Sequence, residues 1–270
     1  MTRFADRVLA TRLERLVVAE CRRFAETTAE LFPEVGPAWF ETAGGIVVFL
    51  GEESPVNGAW GLGLDGEVDA ETLADVEHFF AERGATPVAS VWPFADASLM
   101  RALGERGWAP RAFENVLVRD LLGGEGLPEP DAHVEIRVAS TVEEHELWAR
   151  SVALGFSAPE PPSPAEERLS RAAAADATAS LLLAYVDAEL AGTAQLSVED
   201  GVGWLSADTT LPRFRGRGVQ RSLQRARLAL ARDAGCDVAV SESMPGSASQ
   251  RNMERLGFAL AYVRVECGRV

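Results

Sequence analysis

The sequence predicts an α/β fold of the layered α+β kind, built twice in tandem, with a mixed sheet carrying helices on both faces. Three observations predict it. The same run of elements occurs in each half, a stretch rich in glycine, proline and acid divides the halves, and each half joins hairpin-like strands to strands connected through helices.

In the first half, apolar residues at helical spacing predict a helix over about Phe4–Leu31. Runs rich in apolar and aromatic residues predict strands over Trp39–Leu50 and Ala59–Leu64. A helix over Ala70–Arg83 ends at Gly84, a strand follows over Pro87–Trp92, and Pro93 stops it. A second helix over Ala97–Arg106 ends at Gly107-Trp108, before a strand over Asn115–Arg119. The second half opens with helices over Thr141–Leu154 and Ala165–Ala175. Strands follow over Leu181–Val186, Thr193–Val198 and Val202–Thr210, the first two turned by Asp187-Ala188-Glu189. Then come a helix over Val219–Ala234 with Gly235 at its end, a strand over Asp237–Ser241, a helix over Ala248–Leu256 before Gly257-Phe258, and a strand over Leu260–Val265. The closing glycines, Gly84 and Gly107, then Gly235 and Gly257, keep nearly the same spacing in the two halves. The aperiodic stretch Leu122–His133 reads as the linker, giving domains at 1–121 and 134–270 joined by 122–133.

Composition bounds the function. Of 270 residues, 47% are hydrophobic and 25% charged, which is enough apolar mass for folded cores. With 26 Lys and Arg against 41 Asp and Glu the net charge is -15, which argues against nucleic acid as a partner. The longest apolar run, Gly44–Gly51, is far below a membrane span, so no membrane association is expected. The stretch Met1–Ala10 has no apolar signal core, and the cysteines, Cys21, Cys236 and Cys267, are odd in number and scattered. Both observations point to a reducing, cytoplasmic setting, and with only three His no metal site is expected.

The segment Thr209–Gln220, TTLPRFRGRGVQ, carries the most chemistry. It lies between a strand and a long helix. Gly216 and Gly218 let the backbone turn sharply and approach a ligand, and the amides opening the next helix are donors at the positive end of its dipole. Arg213, Arg215 and Arg217 add three cations, which makes an anion site suited to a pyrophosphate. The matching turn of the first half, Leu64–Asp69, has no second glycine and no arginine, and Asp65, Glu67 and Asp69 would repel a pyrophosphate.

The Arg213-x-x-Gly216-x-Gly218 pattern, with Pro212 before it and a helix after, resembles the acetyl-coenzyme A motif of the GCN5-related N-acetyltransferases. The segment Pro245–Asn252, closing on Arg255-Leu256-Gly257-Phe258, resembles that family's second cofactor segment. The first half resembles a degenerate second copy. The resemblance implies direct acetyl transfer from acetyl-CoA, as cosubstrate, to a primary amine of a small molecule. Thr209, Thr210, Leu211, Arg213, Arg215, Gly216, Arg217, Gly218, Val219, Gln220, Ser249 and Asn252 would hold the cofactor. Backbone groups near Thr209, Thr210 and Leu211 would pair with the pantetheine amides, and a backbone amide would polarise the thioester carbonyl.

One position departs from the family pattern. The usual acid is a Tyr four residues before the Gly of the Gly-Phe pair; Met253 stands there, and a thioether donates no proton. Glu242 and Asp208, at strand ends, are the candidates for a base. The loop Phe156–Pro164, flanked by Glu160, Glu166 and Glu167, would border the acceptor and favour a cationic amine. Cys236 and Trp148 read as core residues, and His78, His133 and His145 as surface or capping groups. The expected assembly is a monomer or homodimer. The competing reading is an acetyl-CoA-binding sensor or scaffold with little catalysis.

Overall fold

The computed structural model describes residues 5–122, 129–157 and 160–269. The chain divides into two compact units that are not contiguous in sequence. Among the described residues, the first unit comprises 5–117, 243–251 and 260–269, and the second comprises 118–242 and 252–259. Residues 123–128 of the expected linker, and Ala158 and Pro159 of the expected acceptor loop, lie outside the described residues.

The first unit begins with α1 (Arg7–Leu31), whose N-terminus is capped by Asp6. Strands β1 (Ala38–Thr42) and β2 (Gly45–Phe49) form a hairpin. The sequence predicts one strand here, but Ala43 and Gly44 take φ values of 47° and 78°, the left-handed pair that a two-residue hairpin turn needs. Next come β3 (Gly58–Trp60), α2 (Ala70–Ala81), β4 (Val88–Val91), α3 (Ala97–Glu105) and β5 (Trp108–Asp120). The final strand, β11 (Ala259–Arg269), pairs antiparallel with β4, setting Val265 opposite Val91 and Cys267 opposite Ala89. Leu73, Val76 and Phe80 of α2 and Leu99 and Leu103 of α3 pack on the sheet face holding Val47, Phe49, Ala89, Val91 and Cys267. Since strand side chains alternate, Val88, Ser90 and Arg264 lie on the other face, where α1 reaches Arg264 through Glu14.

The second unit orders its strands β10-β9-β8-β7-β6. These are β10 (Val238–Ser243), β9 (Val202–Thr210), β8 (Glu189–Glu199), β7 (Ser180–Val186) and β6 (Glu135–Val138). The edge strand β6 has no counterpart in the sequence reading, since four residues with a half-buried to exposed pattern give too short a signal. Helices α4 (Val142–Ser157) and α5 (Pro164–Ala175) cover one face, and α6 (Val219–Asp233) covers the other. On the α6 face Phe214, Val219 and Leu223 pack with Leu182, Ala184 and Ala191. The last helix, α7 (Ala248–Arg255), has residues 248–251 in the first unit and 252–255 in the second.

Candidate active site

The site of the second unit is organised by an irregularity in β9. In the antiparallel register with β8, Ser206 faces Gln195 and Thr209 faces Thr193, so Ala207 and Asp208 together stand opposite Ala194. That is a β-bulge, and Ala207 sits in it at φ 52°, a conformation that L side chains rarely adopt. The bulge interrupts the ladder, and side chains take over the carbonyls around it. The buried indole of Trp148 donates from Nε1 to the Ala194 carbonyl at 3.0 Å. Arg227, fully buried on α6, donates from Nη1 to the carbonyls of Gln195 and Ser206, each at 3.0 Å. Its Nη2 donates to the Asp208 carboxylate.

Before the bulge, β9 already parts from its parallel neighbour. The two strands pair only at Val202–Trp204 with Val238–Val240, although β9 runs on to Thr210. Parallel strands that stop pairing leave backbone groups facing the gap without partners. Thr210 Oγ1 is buried with no hydrogen-bond partner. Thr209 is instead a core residue: its hydroxyl meets that of Thr193 at 2.7 Å, and Gly155 of α4 lies so close that an added Cβ would come 2.5 Å from the Thr209 Cβ. Leu211 is engaged on both sides, donating its amide to Ala191 and accepting from the Phe214 amide, each at 2.9 Å.

The turn after β9 has the form that an anion needs. Gly216 and Gly218 take φ values of 77° and 78°, and α6 starts on Gly218 with no side chain capping its first amides. Val219 is buried beneath the turn and Gln220 is half-buried. Two arginines are fixed by the hairpin turn of β7 and β8: Arg213 pairs with Glu189 and Arg217 with Asp187, each at 2.9 Å. Both guanidinium groups also lie over the Phe214 ring. Arg215 is exposed and makes no ion pair among the described residues.

Asp131 stands beside this turn, contributed by the segment 122–133 that the composition predicts as a linker. It receives Arg221, and Arg225 at 2.8 Å, and its amide donates to Ser222 Oγ at 3.0 Å. The Arg221 hydrogen bond holds its carboxyl below the usual range against the opposing effect of desolvation. A Cβ added to Gly218 would lie 2.3 Å from Asp131 Oδ2. Nearby, the His133 ring meets the Arg217 carbonyl at 2.9 Å. Five arginines thus stand around the turn with three carboxylates, so it remains cationic in an acidic chain.

The remaining candidates separate clearly. Asn252 of α7 donates to Gln220 Oε1 at 2.7 Å and accepts from Arg255 at 2.9 Å. Ser249 lies half-buried in the first turn of α7. Glu242 is half-buried on β10. Met253 is 1% exposed and packs as core, with its carbonyl closing the end of α7. Of the two tyrosines, Tyr185 on β7 lies under the Arg137 guanidinium, and Tyr262 of the first unit donates to Glu14 at 2.7 Å.

The corresponding turn of the first unit is arranged differently. Asp69 caps α2, accepting from the Thr72 amide at 2.8 Å, and so places a carboxylate where α6 leaves open amides. That hydrogen bond lowers its pKa, and Asp65 pairs with Arg15 at 3.0 Å.

Residues 145–258, which include the bulge, the turn and α7, match the model of the acetyltransferase (GNAT) family. The whole chain shares its fold with solved GNAT structures. A GCN5-related N-acetyltransferase from Kribbella flavida superimposes with TM-score 0.64 at 19% identity, covering 92% of this chain and 94% of that one. A tandem GNAT protein from the clavulanic acid biosynthesis pathway gives TM-score 0.61 at 16% identity, covering 96% and 93%. A GCN5-related N-acetyltransferase from Sphaerobacter thermophilus gives 0.59 at 18% identity, covering 78% and 71%. A search of the curated proteins found no match. At these identities the structural likeness speaks for the fold, which is that of two GNAT-like domains in tandem.

Proposed function

We propose that the chain is an N-acetyltransferase that binds acetyl-CoA in its second unit and transfers the acetyl group directly to a primary amine of a small molecule. The observation that carries this reading is the turn at Gly216 and Gly218, with its left-handed glycines and an uncapped α6 behind it. The amides from Gly216 to Gln220 would hold the pyrophosphate, with Arg213, Arg215 and Arg217 around it. The unpartnered Thr210 hydroxyl and the gap between β9 and β10 suit an amide-bearing pantetheine arm, and Leu211, engaged on both sides, would only shape its wall. When bound, acetyl-CoA supplies the activated acetyl group. The bulge at Ala207 would aim a backbone amide at its carbonyl, an electrostatic stabilisation of the oxyanion-hole kind.

Glu242 and Asp208 are the candidates for removing the amine proton, directly or through water, and Asp208 is held by Arg227. Buried Met253 leaves the proton for the departing thiolate to solvent. The acids Glu160, Glu166 and Glu167 beside the acceptor loop would favour a cationic amine. Glu166 is also engaged locally, accepting from the Ser163 amide at 2.7 Å in a capping box. The first unit, with Asp69 at the head of α2, is the degenerate copy and binds no cofactor. Cys21, Cys236 and Cys267 are buried and form no disulfide, which suits a cytoplasmic protein; no described helix is long and apolar enough to cross a membrane.

Calorimetric titration with acetyl-CoA tests this, followed by an acetylation screen of amines. One site per chain with turnover on cationic amines is the expected result. One site without turnover on any amine favours the sensor reading that Met253 suggests, and no binding overturns both.

A further inference from the structure

The first unit holds a cavity of about 580 Å³ on the sheet face that α1 covers. Its size is ordinary for a small-molecule site. A second chamber of about 480 Å³ shares Pro55, Asn57, Val88, Arg111 and Glu266 with it, so the two charged residues are among those standing where the chambers join. Trp60 and Phe113 line the larger chamber, and Phe113 is 54% exposed, so an aromatic face is open to an occupant.

The strand β11 presents Arg264, Glu266 and Gly268 on one face, two residues apart. Arg264 is 1% exposed and lines the cavity, donating from Nε to Glu14 at 2.7 Å and from Nη1 to Glu114 at 3.4 Å. Tyr262 holds the same oxygen of Glu14 at 2.7 Å. Buried ions cost desolvation free energy unless paired, and Glu14 and Glu114 supply the counter-charges to Arg264.

Arg111 and Glu266 differ from that network. Neither side chain makes a hydrogen bond or ion pair among the described residues. Arg111 is nonetheless placed: its stem lies across Gly268, where an added Cβ would come 2.4 Å from its Cδ and 2.9 Å from its Nη1. A glycine at that position gives the arginine a bed against the β11 backbone. A placed cation and an unmatched anion therefore face one cavity, whose walls combine Trp60, Phe113 and Val88 with Asn57, Ser90 and the Arg264–Glu114 pair.

We infer that this cavity binds a free α-amino acid with an apolar or aromatic side chain. The carboxylate meets the Arg111 fork, the ammonium meets Glu266, and the side chain packs on Trp60 and Phe113. A ligand of one charge would satisfy only one of the two groups. This site is separate from the acetyl-CoA reading and stands without it.

The test is calorimetric titration of the full chain, without acetyl-CoA, against L-phenylalanine and L-leucine, with phenylacetate and phenethylamine as single-charge controls. One saturable site for an L-amino acid is expected, with each control at least tenfold weaker. Arg111→Ala and Glu266→Gln should each weaken binding at least tenfold while the thermal unfolding midpoint stays within a degree or two. Binding of phenethylamine or phenylacetate as tight as that of the amino acid overturns the inference. So does unchanged affinity in either folded variant, or no saturable binding of either amino acid.

Discussion

Arg227 and Asp208 form a buried ion pair that braces the bulge in β9. The arginine side chain is fully buried and the aspartate side chain 14% exposed. The same guanidinium takes the carbonyls of Gln195 and Ser206, one on each strand beside the bulge. An isolated charge at that depth would be costly, so the carboxylate and the carbonyls are what make Arg227 tolerable on the core face of α6. Asp208 is then an element of architecture that fixes the position of Ala207.

Asp208→Asn should therefore destabilise the protein by about 3–5 kcal/mol, because it leaves a buried guanidinium without its counter-ion. Trp148→Phe removes one donor from a buried carbonyl and should cost about 1–3 kcal/mol. Urea denaturation measures both. A Asp208→Asn variant as stable as the parent would show that the pair contributes nothing.

Much of this arrangement was legible in the sequence. The duplicated order of elements, the closing glycines and the Arg213-Gly216-Gly218 turn all express local backbone chemistry, which a sequence displays directly. The bulge does not, because it arises from register between β8 and β9 and is marked only by Ala207, a residue with no turn preference. Arg227 did leave a trace: it follows Leu223 by one helical turn, setting a charge in the apolar stripe of α6. Asp131 was hidden because Gly, Pro and acid in one stretch look like spacer, while its role depends on Arg221 and Arg225, some 90 positions away. The place of β11 beside β4 was equally invisible, as pairing between distant strands has no local signature.

Gly218 is the position where substitution speaks most directly to the anion site. Gly218→Ala meets two penalties, a left-handed φ of 78° and a Cβ 2.3 Å from Asp131 Oδ2. A stability loss of about 1–2 kcal/mol is expected from the backbone alone. In an Asp131→Ala background the clash is relieved, so there Gly218→Ala should cost only that backbone part relative to Asp131→Ala alone. Gly218→Glu adds a carboxylate among the α6 amides and should abolish acetyl-CoA binding by calorimetry; unchanged affinity would move the site elsewhere.

The first unit supplies the opposite expectation. Asp65 and Arg15 are 57% and 62% exposed, so their pair is screened by solvent, and Asp65→Ala should cost less than about 1 kcal/mol. Acetyl-CoA affinity and a stoichiometry of one should both survive. A large loss of binding would mean that the cofactor lies in the first unit.

Asp131 should leave its mark on the pH dependence of stability. Its pKa is lowered in the folded state, first by the Arg221 hydrogen bond and then by the charges of Arg221, Arg225 and His133, with desolvation opposing. A depressed folded pKa means that the unfolded chain binds the proton more tightly. The stabilisation is then fully present above the unfolded value near 3.8 and is lost as pH falls through the lower folded value. The difference in urea midpoint between the parent and Asp131→Asn should be constant from neutral pH down to about pH 5, then shrink with further acidification. A difference that stays constant into strong acid would show that the carboxylate is not held by its arginines.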